Sequence, residues 1–305
     1  MSKGFELRGI VPPMVTPLTE DGELDLAALQ RIIEHMLSAG VHGLFALGTT
    51  GEAAALPDRV RRDMIQSTCR IVNGRVPVLV GVTDTCVERS IETARLAENA
   101  GAAAIVLAPP YYLPLQQDEL IDCVLAIVRG EGLPVGLPVV LYNIPALTKT
   151  AFELDTVAKL ADQPQVIGLK DSSGNSNYVR RLVPRVTRNR WSVMVGMENQ
   201  LADGLKDGAA GGVPAGANLM PKLFVDLYDA SIRHDVSRVN QLQSQVLSLQ
   251  QIYQLGPGFT SVIRGLKCAM NLTGLCLDRM ADPMRPCTPE QRRKISEYLR
   301  DLHPA

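Results

Sequence analysis

Lys170 ends the apolar run Val166-Ile167-Gly168-Leu169 and precedes Asp171-Ser172-Ser173-Gly174, so an ammonium group stands where a buried strand meets a polar turn. Burial disfavours the protonated form and can lower a lysine pKa by several units, which turns the side chain into an amine nucleophile for a carbonyl carbon. The other lysines, Lys3, Lys149, Lys159, Lys206, Lys222, Lys267 and Lys294, fall in termini, turns or amphipathic helical stretches. Their head groups are expected to reach water. A strand-end lysine can also be solvated or paired with its neighbour, here Asp171, so the surrounding residues have to decide.

Four further groups carry possible chemistry. Gly48-Thr49-Thr50-Gly51-Glu52 combines hydroxyls with glycines that let backbone N–H groups approach a ligand, and a helix start is expected to follow. That combination suits a small anion such as a carboxylate, and it equally suits a tight strand-to-helix turn. Tyr142, in Tyr142-Asn143-Ile144-Pro145, can pass a proton beside an imine if a hydroxyl such as that of Thr49 relays it; read alone it is a half-buried aromatic. Tyr111 and Tyr112 suit a site rim or a subunit interface. Glu198 and Asn199 can reach hydroxyls of a polyhydroxylated substrate or cap the next helix.

The elements that must position these residues alternate. Short, nearly all-apolar runs begin near Gly9, Gly43, Pro77, Ala103, Pro138, Val166, Trp191 and Gly208, separated by helical stretches. Runs of that kind are strands covered on both faces, and eight strand-helix units predict a (β/α)8 TIM barrel, an α/β fold whose active site lies at the carboxyl ends of the strands. Asp25 is the expected N-cap of a helix stopped by Gly40, and Thr85-Cys86-Val87-Glu88 reads as a capping box. A second helical region is broken at Gly256-Pro257-Gly258 and restarts at Thr288-Pro289-Glu290-Gln291. The expected division is a barrel over 1–228 and a helical C-terminal piece over 229–305.

Composition narrows the partners. The chain has 305 residues, 46% of them hydrophobic and 21% charged, with a formal net charge of -1. It offers no basic field for a phosphate backbone, so nucleic acid is not an expected partner. The N-terminus has no apolar signal core and no run is long enough to span a bilayer, which predicts a cytoplasmic protein without a membrane partner. Six cysteines and four histidines, His35, His42, His234 and His303 among them, are scattered without metal-ligand spacing, so no metal and only reduced thiols are expected.

With Thr49-Thr50-Gly51-Glu52, Tyr112, Tyr142-Asn143-Ile144-Pro145 and Lys170 in this order, the chain resembles the dihydrodipicolinate synthase and N-acetylneuraminate lyase family over essentially its full length. The resemblance implies an eight-stranded barrel with a helical C-terminal extension, a homotetramer built as a dimer of dimers, and pyruvate held as a Schiff base with no other cofactor. Carried over position by position, it makes Lys170 the Schiff-base lysine and Tyr142 the proton donor and acceptor. Thr49 would link Tyr142 to a neighbouring subunit's Tyr112, Thr50 and the adjacent backbone through Gly51 would hold the pyruvyl carboxylate, and the Val213 main chain would line the pocket.

Substrate choice within the family turns on a few positions. Synthases that join pyruvate to aspartate semialdehyde carry an arginine where this chain has Leu147, whereas sialic acid lyases are similar in having leucine there. Those lyases in turn carry an acidic pair and a serine where this chain has Glu198, Asn199 and Ala215. The expectation is therefore an aldolase for a shorter 2-oxo-3-deoxy sugar acid or a 4-hydroxy-2-oxo acid, with family dehydratases close by. The alternatives are the synthase itself, with Lys149 or Arg285 replacing the missing arginine, and a non-catalytic barrel that binds a 2-oxo acid.

Overall fold

The computed structural model describes residues 6–129, 136–186, 191–256 and 258–302; Lys3, Pro257 and His303 lie outside them. Strands β1 Gly9–Ile10, β2 Leu44–Ala46, β3 Val78–Gly81, β4 Ala104–Leu107, β5 Val139–Asn143, β6 Val166–Asp171, β7 Ser192–Val195 and β8 Gly211–Gly212 form one parallel sheet in the order β1-β8-β7-β6-β5-β4-β3-β2. The sheet closes through the chain after β1. Phe45 N–H donates to Pro12 O at 2.9 Å and Met14 N–H to Phe45 O at 2.8 Å, making a parallel bridge between Pro13 and Phe45. Seven expected strand starts fall within one residue of the observed ones, while β8 begins three residues later than expected, at Gly211.

Period-two alternation sorts each strand into an inner and an outer set. Ala104, Val106, Val140, Tyr142 and Met194 pack with Phe45, Leu79 and Val213 inside the barrel. Ile105, Leu107, Val139, Leu141 and Leu169 pack outward against the helices. Helix Leu26–Ser38 shows how the outer layer is built: Asp25 accepts from Ala28 N–H, and Leu29, Ile32, Ile33 and Met36 form the buried stripe. The expected capping box at Thr85 does not form. Helix Val87–Asn99 has Cys86 at its N-cap without a side-chain cap bond, because Asp84 takes the Cys86 N–H at 3.2 Å and also binds Arg89. Thr288 and Gln291 do exchange both bonds of a capping box, at 2.9 and 3.2 Å.

The expected cut between residues 228 and 229 falls inside helix Pro221–Ile232, which belongs to the last barrel unit. The chain turns at His234, φ 58°, and Asp235 caps the next helix, Val236–Leu249. The C-terminal helices then return to the barrel mouth. Lys267, expected to reach water, is instead fully buried: its Nζ lies 2.5 Å from Glu52 Oε1 and donates to Arg279 O at 2.7 Å. Glu52 Oε2 accepts from Ala281 N–H at 2.7 Å. This ion pair ties the loop after β2 to helix Phe259–Leu272.

Breaking one side of a desolvated ion pair strands the other charge, at a cost of about 3–5 kcal/mol. Lys267→Met is expected to lose that much unfolding free energy in urea titration, and the double variant Glu52→Gln/Lys267→Met is expected to regain most of it.

Candidate active site

Sheet register positions the central pair. Tyr142 of β5 and Lys170 of β6 are directly paired, as are Asn143 and Asp171 one step on. Alternation then sends Lys170 and Tyr142 into the barrel and Asn143 and Asp171 to the outside. Asp171 is therefore not the partner of Lys170; it accepts from Asn143 Nδ2 at 2.8 Å and from Ser173 Oγ at 3.0 Å. Lys170 is 5% exposed, with Nζ 4.0 Å from the centroid of the Tyr142 ring and 5.3 Å from that of Phe45.

The Tyr142 hydroxyl lies 3.3 Å from Thr49 Oγ1. Burial pushes this phenol up, but the Lys170 charge and hydrogen bonds with Thr49, Lys170 and Ser172 outweigh it and leave the group below its ordinary value. A phenol that gives up its proton more readily beside an amine is suited to proton exchange with a bound carbonyl adduct. Ser172 and Gly196 also belong to this site. Both stand two residues beyond an inward-facing residue, Lys170 and Met194, so period two alone could have identified them. A Cβ on Gly196 would sit 2.0 Å from Ser172 Oγ and 3.1 Å from Lys170 Cε, so only glycine leaves the lysine its room.

Two cavities meet at Thr49 and Tyr142. The inner one, about 140 Å³, is lined by Lys170, Thr50, Ser172, Val213, Glu198 and Tyr253 among others. The outer one, about 360 Å³, is mostly apolar and is lined by Phe45, Val106, Tyr111, Ile144, Leu147 and Ile263 among others. Leu147 lines the outer cavity and not the one that holds the lysine. Gly51 does not line the inner cavity: its N–H donates to Gly48 O at 3.0 Å and its carbonyl accepts from Thr16 at 2.7 Å. The turn is followed by the short 3-10 segment Ala53–Ala55, and the long helix starts only at Asp58, so the helix expected after this turn does not begin beside Thr49 and Thr50. An anion there would rely on the Thr50 hydroxyl, nearby main-chain N–H groups and the lysine charge.

Tyr112 is not in the site of its own chain. It is 85% exposed with φ 83°, on the loop after β4, next to Leu113 at 69%. Glu198 is buried and faces the inner cavity while Asn199 is exposed, and neither caps the following helix. Lys149 and Arg285 are exposed and outside both cavity linings. Among the described residues lining the inner cavity, Lys170 is the only cation. Tyr253 and Gln250, which also line it, come from the C-terminal segment and carried no sequence signal. No group of three or more His, Cys, Asp or Glu among the described residues is arranged for a metal ion, and no helix among them is long and apolar enough to cross a membrane.

A model of the dihydrodipicolinate synthetase family matches residues 6–302. A probable 2-dehydro-3-deoxy-D-pentonate aldolase of Escherichia coli K12, YjhH, is 33% identical over 95% of this chain and 96% of its own. The structure of dihydrodipicolinate synthase from Bacteroides thetaiotaomicron superposes with a TM-score of 0.92 at 43% identity, covering 97% of this chain and 98% of that one. YagE of Escherichia coli K12, solved in complex with pyruvate, does so with a TM-score of 0.91 at 31% identity, covering 97% and 98%.

Burial pushes the Glu198 carboxyl up to about 7, against hydrogen bonds from Gly216, Gln250, Ala215 and Tyr253 that pull it down. The folded state therefore holds a proton that the unfolded chain has released between about pH 4.5 and 7, and the stability this gives is full below that window and lost as pH rises through it. Glu198→Gln is expected to flatten this dependence, which amounts to up to about 3 kcal/mol. Urea titrations of both proteins at pH 5 and pH 8 measure it.

Proposed function

This chain belongs to the dihydrodipicolinate synthetase family, and from that premise we propose that it is a pyruvate-yielding aldolase in which Lys170 forms the covalent imine. Enzymes of this family are lyases and aldolases that act through a Schiff base with pyruvate, and this chain is a lyase of that kind. The observation that carries the assignment is the buried Lys170 Nζ 4.0 Å from the Tyr142 ring, inside a cavity that also holds Thr50.

The steps follow from these positions. Lys170, as the free amine, adds to the keto carbon of a 4-hydroxy-2-oxo acid; Tyr142 gives its proton to the departing hydroxyl, so that water leaves and the iminium and the Tyr142 phenolate remain. Tyr142, as phenolate, takes the proton of the C4 hydroxyl; the C3–C4 bond breaks, its electrons neutralise the iminium as an enamine, and the aldehyde leaves. The enamine takes a proton at C3 from Tyr142, and water releases pyruvate and the free amine. Thr49, 3.3 Å from the Tyr142 hydroxyl, relays the proton. Thr50 and adjacent main-chain N–H groups hold the carboxylate, the Val213 main chain lines the pocket, and Glu198 meets the remainder of the substrate. No metal or other cofactor enters these steps. A 2-oxo-3-deoxy sugar acid or a related 4-hydroxy-2-oxo acid fits a cavity lining whose only cation, among the described residues, is the lysine itself.

The assembly is part of this reading. Tyr112 projects from its own chain, while the apolar cavity beside Thr49 and Tyr142 is open to an aromatic side chain from outside. We place a partner's Tyr112 there, within a cytoplasmic homotetramer built as a dimer of dimers.

Lys170→Ala is expected to abolish trapping of pyruvate by borohydride, read as the mass of the reduced adduct. Tyr142→Phe is expected to keep trapping while turnover falls by about 10²–10⁴. Full turnover by either variant removes its assigned role. Tyr112→Phe is expected to lose turnover as well. Mixed oligomers of Tyr112→Phe and Lys170→Ala chains, reassembled together, are expected to regain activity that neither homo-oligomer has; no gain on mixing would place Tyr112 outside the partner's site.

A further inference from the structure

Cys268 and Cys287 take no part in the chemistry above, yet both are free thiols and they share a hydrogen bond. Cys268 stands on helix Phe259–Leu272 and is fully buried. Cys287 lies at the end of the segment that returns to helix Pro289–Leu302 and is only half-buried. Its thiol also donates to Arg264 O at 3.7 Å, one helical turn before Cys268. One residue of the pair thus reaches solvent, and the other lies behind it.

The charges around the pair favour reaction. Arg292 Nη1 lies 3.9 Å from Cys268 Sγ, and the guanidinium is held there by Asp278 Oδ2 at 2.9 Å and Asn271 Oδ1 at 2.6 Å. The hydrogen bond from Cys287 and the Arg292 charge outweigh burial and Asp278, leaving the Cys268 thiol below its ordinary value; the shared hydrogen bond and burial push Cys287 up. The pair therefore gives up its first proton readily and keeps the second. Burial pushes Cys69 and Cys123 up to about 11, which leaves those thiols little thiolate at neutral pH.

The pair also stands on a seam next to the active site. Helix Phe259–Leu272 holds the returning segment by polar contacts, Lys267 Nζ to Arg279 O and Arg264 Nε to Arg285 O, each at 2.7 Å. That segment gives Ala281 N–H to Glu52 and places Met284 in the lining of the outer cavity, beside Ile263 of the same helix. A covalent bond between Cys268 and Cys287 closes a loop of about 20 residues and holds the seam under conditions that break its polar contacts.

We propose that Cys268 and Cys287 are a peroxide-oxidised dithiol whose intrachain disulfide locks the returning segment, and with it one wall of the outer cavity, to helix Phe259–Leu272. The proton of Cys287 passes to the Cys268 sulfur across their hydrogen bond. The Cys287 thiolate attacks a peroxide oxygen, the O–O bond breaks, and the departing hydroxide takes a proton from solvent. The Cys268 sulfur then attacks the Cys287 sulfenic sulfur; the S–O bond breaks, and hydroxide leaves with the Cys268 proton as water. Two thiols are oxidised to one disulfide, and one peroxide is reduced to two waters. Because the second thiol is already in contact, it consumes the sulfenic acid before more peroxide carries it to the irreversible sulfinic acid. A dithiol reductant reverses the bond by exchange.

The test treats the full-length enzyme with one equivalent of hydrogen peroxide, counts free thiols and maps cross-links by mass spectrometry without reduction. The wild type is expected to lose two of its six thiols as a Cys268–Cys287 cross-link, and to regain them with dithiothreitol. Its Tm is expected to rise by about 4–8 °C on oxidation. Cys268→Ala is expected to accumulate a sulfenic acid at Cys287, read as a dimedone adduct, with no cross-link and no rise in Tm. Cys287→Ser, at a half-buried position, is expected to keep the Cys268 thiol and to show no rise either. Six intact thiols, a sulfinic acid at Cys287 of the wild type in place of the cross-link, or a Cys268–Cys287 cross-link that leaves Tm unchanged overturns the proposal. The imine at Lys170 is read separately by borohydride trapping and does not depend on these results.

Discussion

A slip of one residue between β5 and β6 would turn Lys170 and Tyr142 out of the barrel and put Asn143 and Asp171 in their place. The observed register pairs Tyr142 with Lys170 and is fixed further along by Asn143, whose Nδ2 bonds Asp171 and whose Oδ1 accepts from Phe152 N–H at 3.0 Å. The polar residues on the outer face thereby hold the reactive ones on the inner face. Burial and the neighbouring amine then act on the phenol together. The lysine charge lowers the cost of ionising Tyr142, and Gly196 keeps the space around Lys170 Cε open. None of this requires a flexible loop, since both side chains leave regular strands of a closed sheet.

The C-terminal helices complete the barrel mouth. The Glu52–Lys267 pair, with Ala281 N–H on the second carboxylate oxygen, fixes the end of the Gly48–Glu52 turn to helix Phe259–Leu272. Thr49 and Thr50 belong to that turn, so the groups facing the lysine are held through a buried contact far away in sequence. Such an ion pair is weak evidence for added stability, because desolvation offsets most of the attraction. Its consequence here is geometric: Glu52 has φ 58°, and a left-handed residue keeps its place best when its side chain is anchored.

Much of this was legible in the sequence because it depends on local pattern. All-apolar runs separated by one-sided helices gave the barrel, and strand ends gave Lys170, Tyr142, Thr49 and Thr50. What was missed depends on long-range contacts. Lys267 sits in a helix whose pattern suits a solvated lysine; only its meeting with Glu52, 215 positions earlier (267 minus 52), buries it. Gly51 looked like a ligand-binding glycine, yet its amide closes the turn and its carbonyl binds Thr16. Asn199 and Glu198 are adjacent and similar in chemistry, and only the turn after β7 decides that one enters the cavity while the other meets water.

Leu147 shows how position changes the meaning of a residue. As a sequence feature it marked the absence of a cation for a second carboxylate. In the fold it lines the apolar cavity that adjoins Tyr142, 37% exposed, with Tyr111 and Ile263 among the other lining residues. The phenol lines both cavities. The amine, Thr50 and Glu198 line one; the other is a largely carbon surface, and Thr49 lines both. A proton passed from Tyr142 to Thr49 moves toward the apolar side, where it needs a further hydroxyl to continue outward. Tyr111 is the one tyrosine of the same loop that lines this cavity from within the chain, and Tyr112 beside it projects away. In the proposed assembly, the relay that ends at Thr49 in a single chain would be continued by a hydroxyl from a neighbouring subunit.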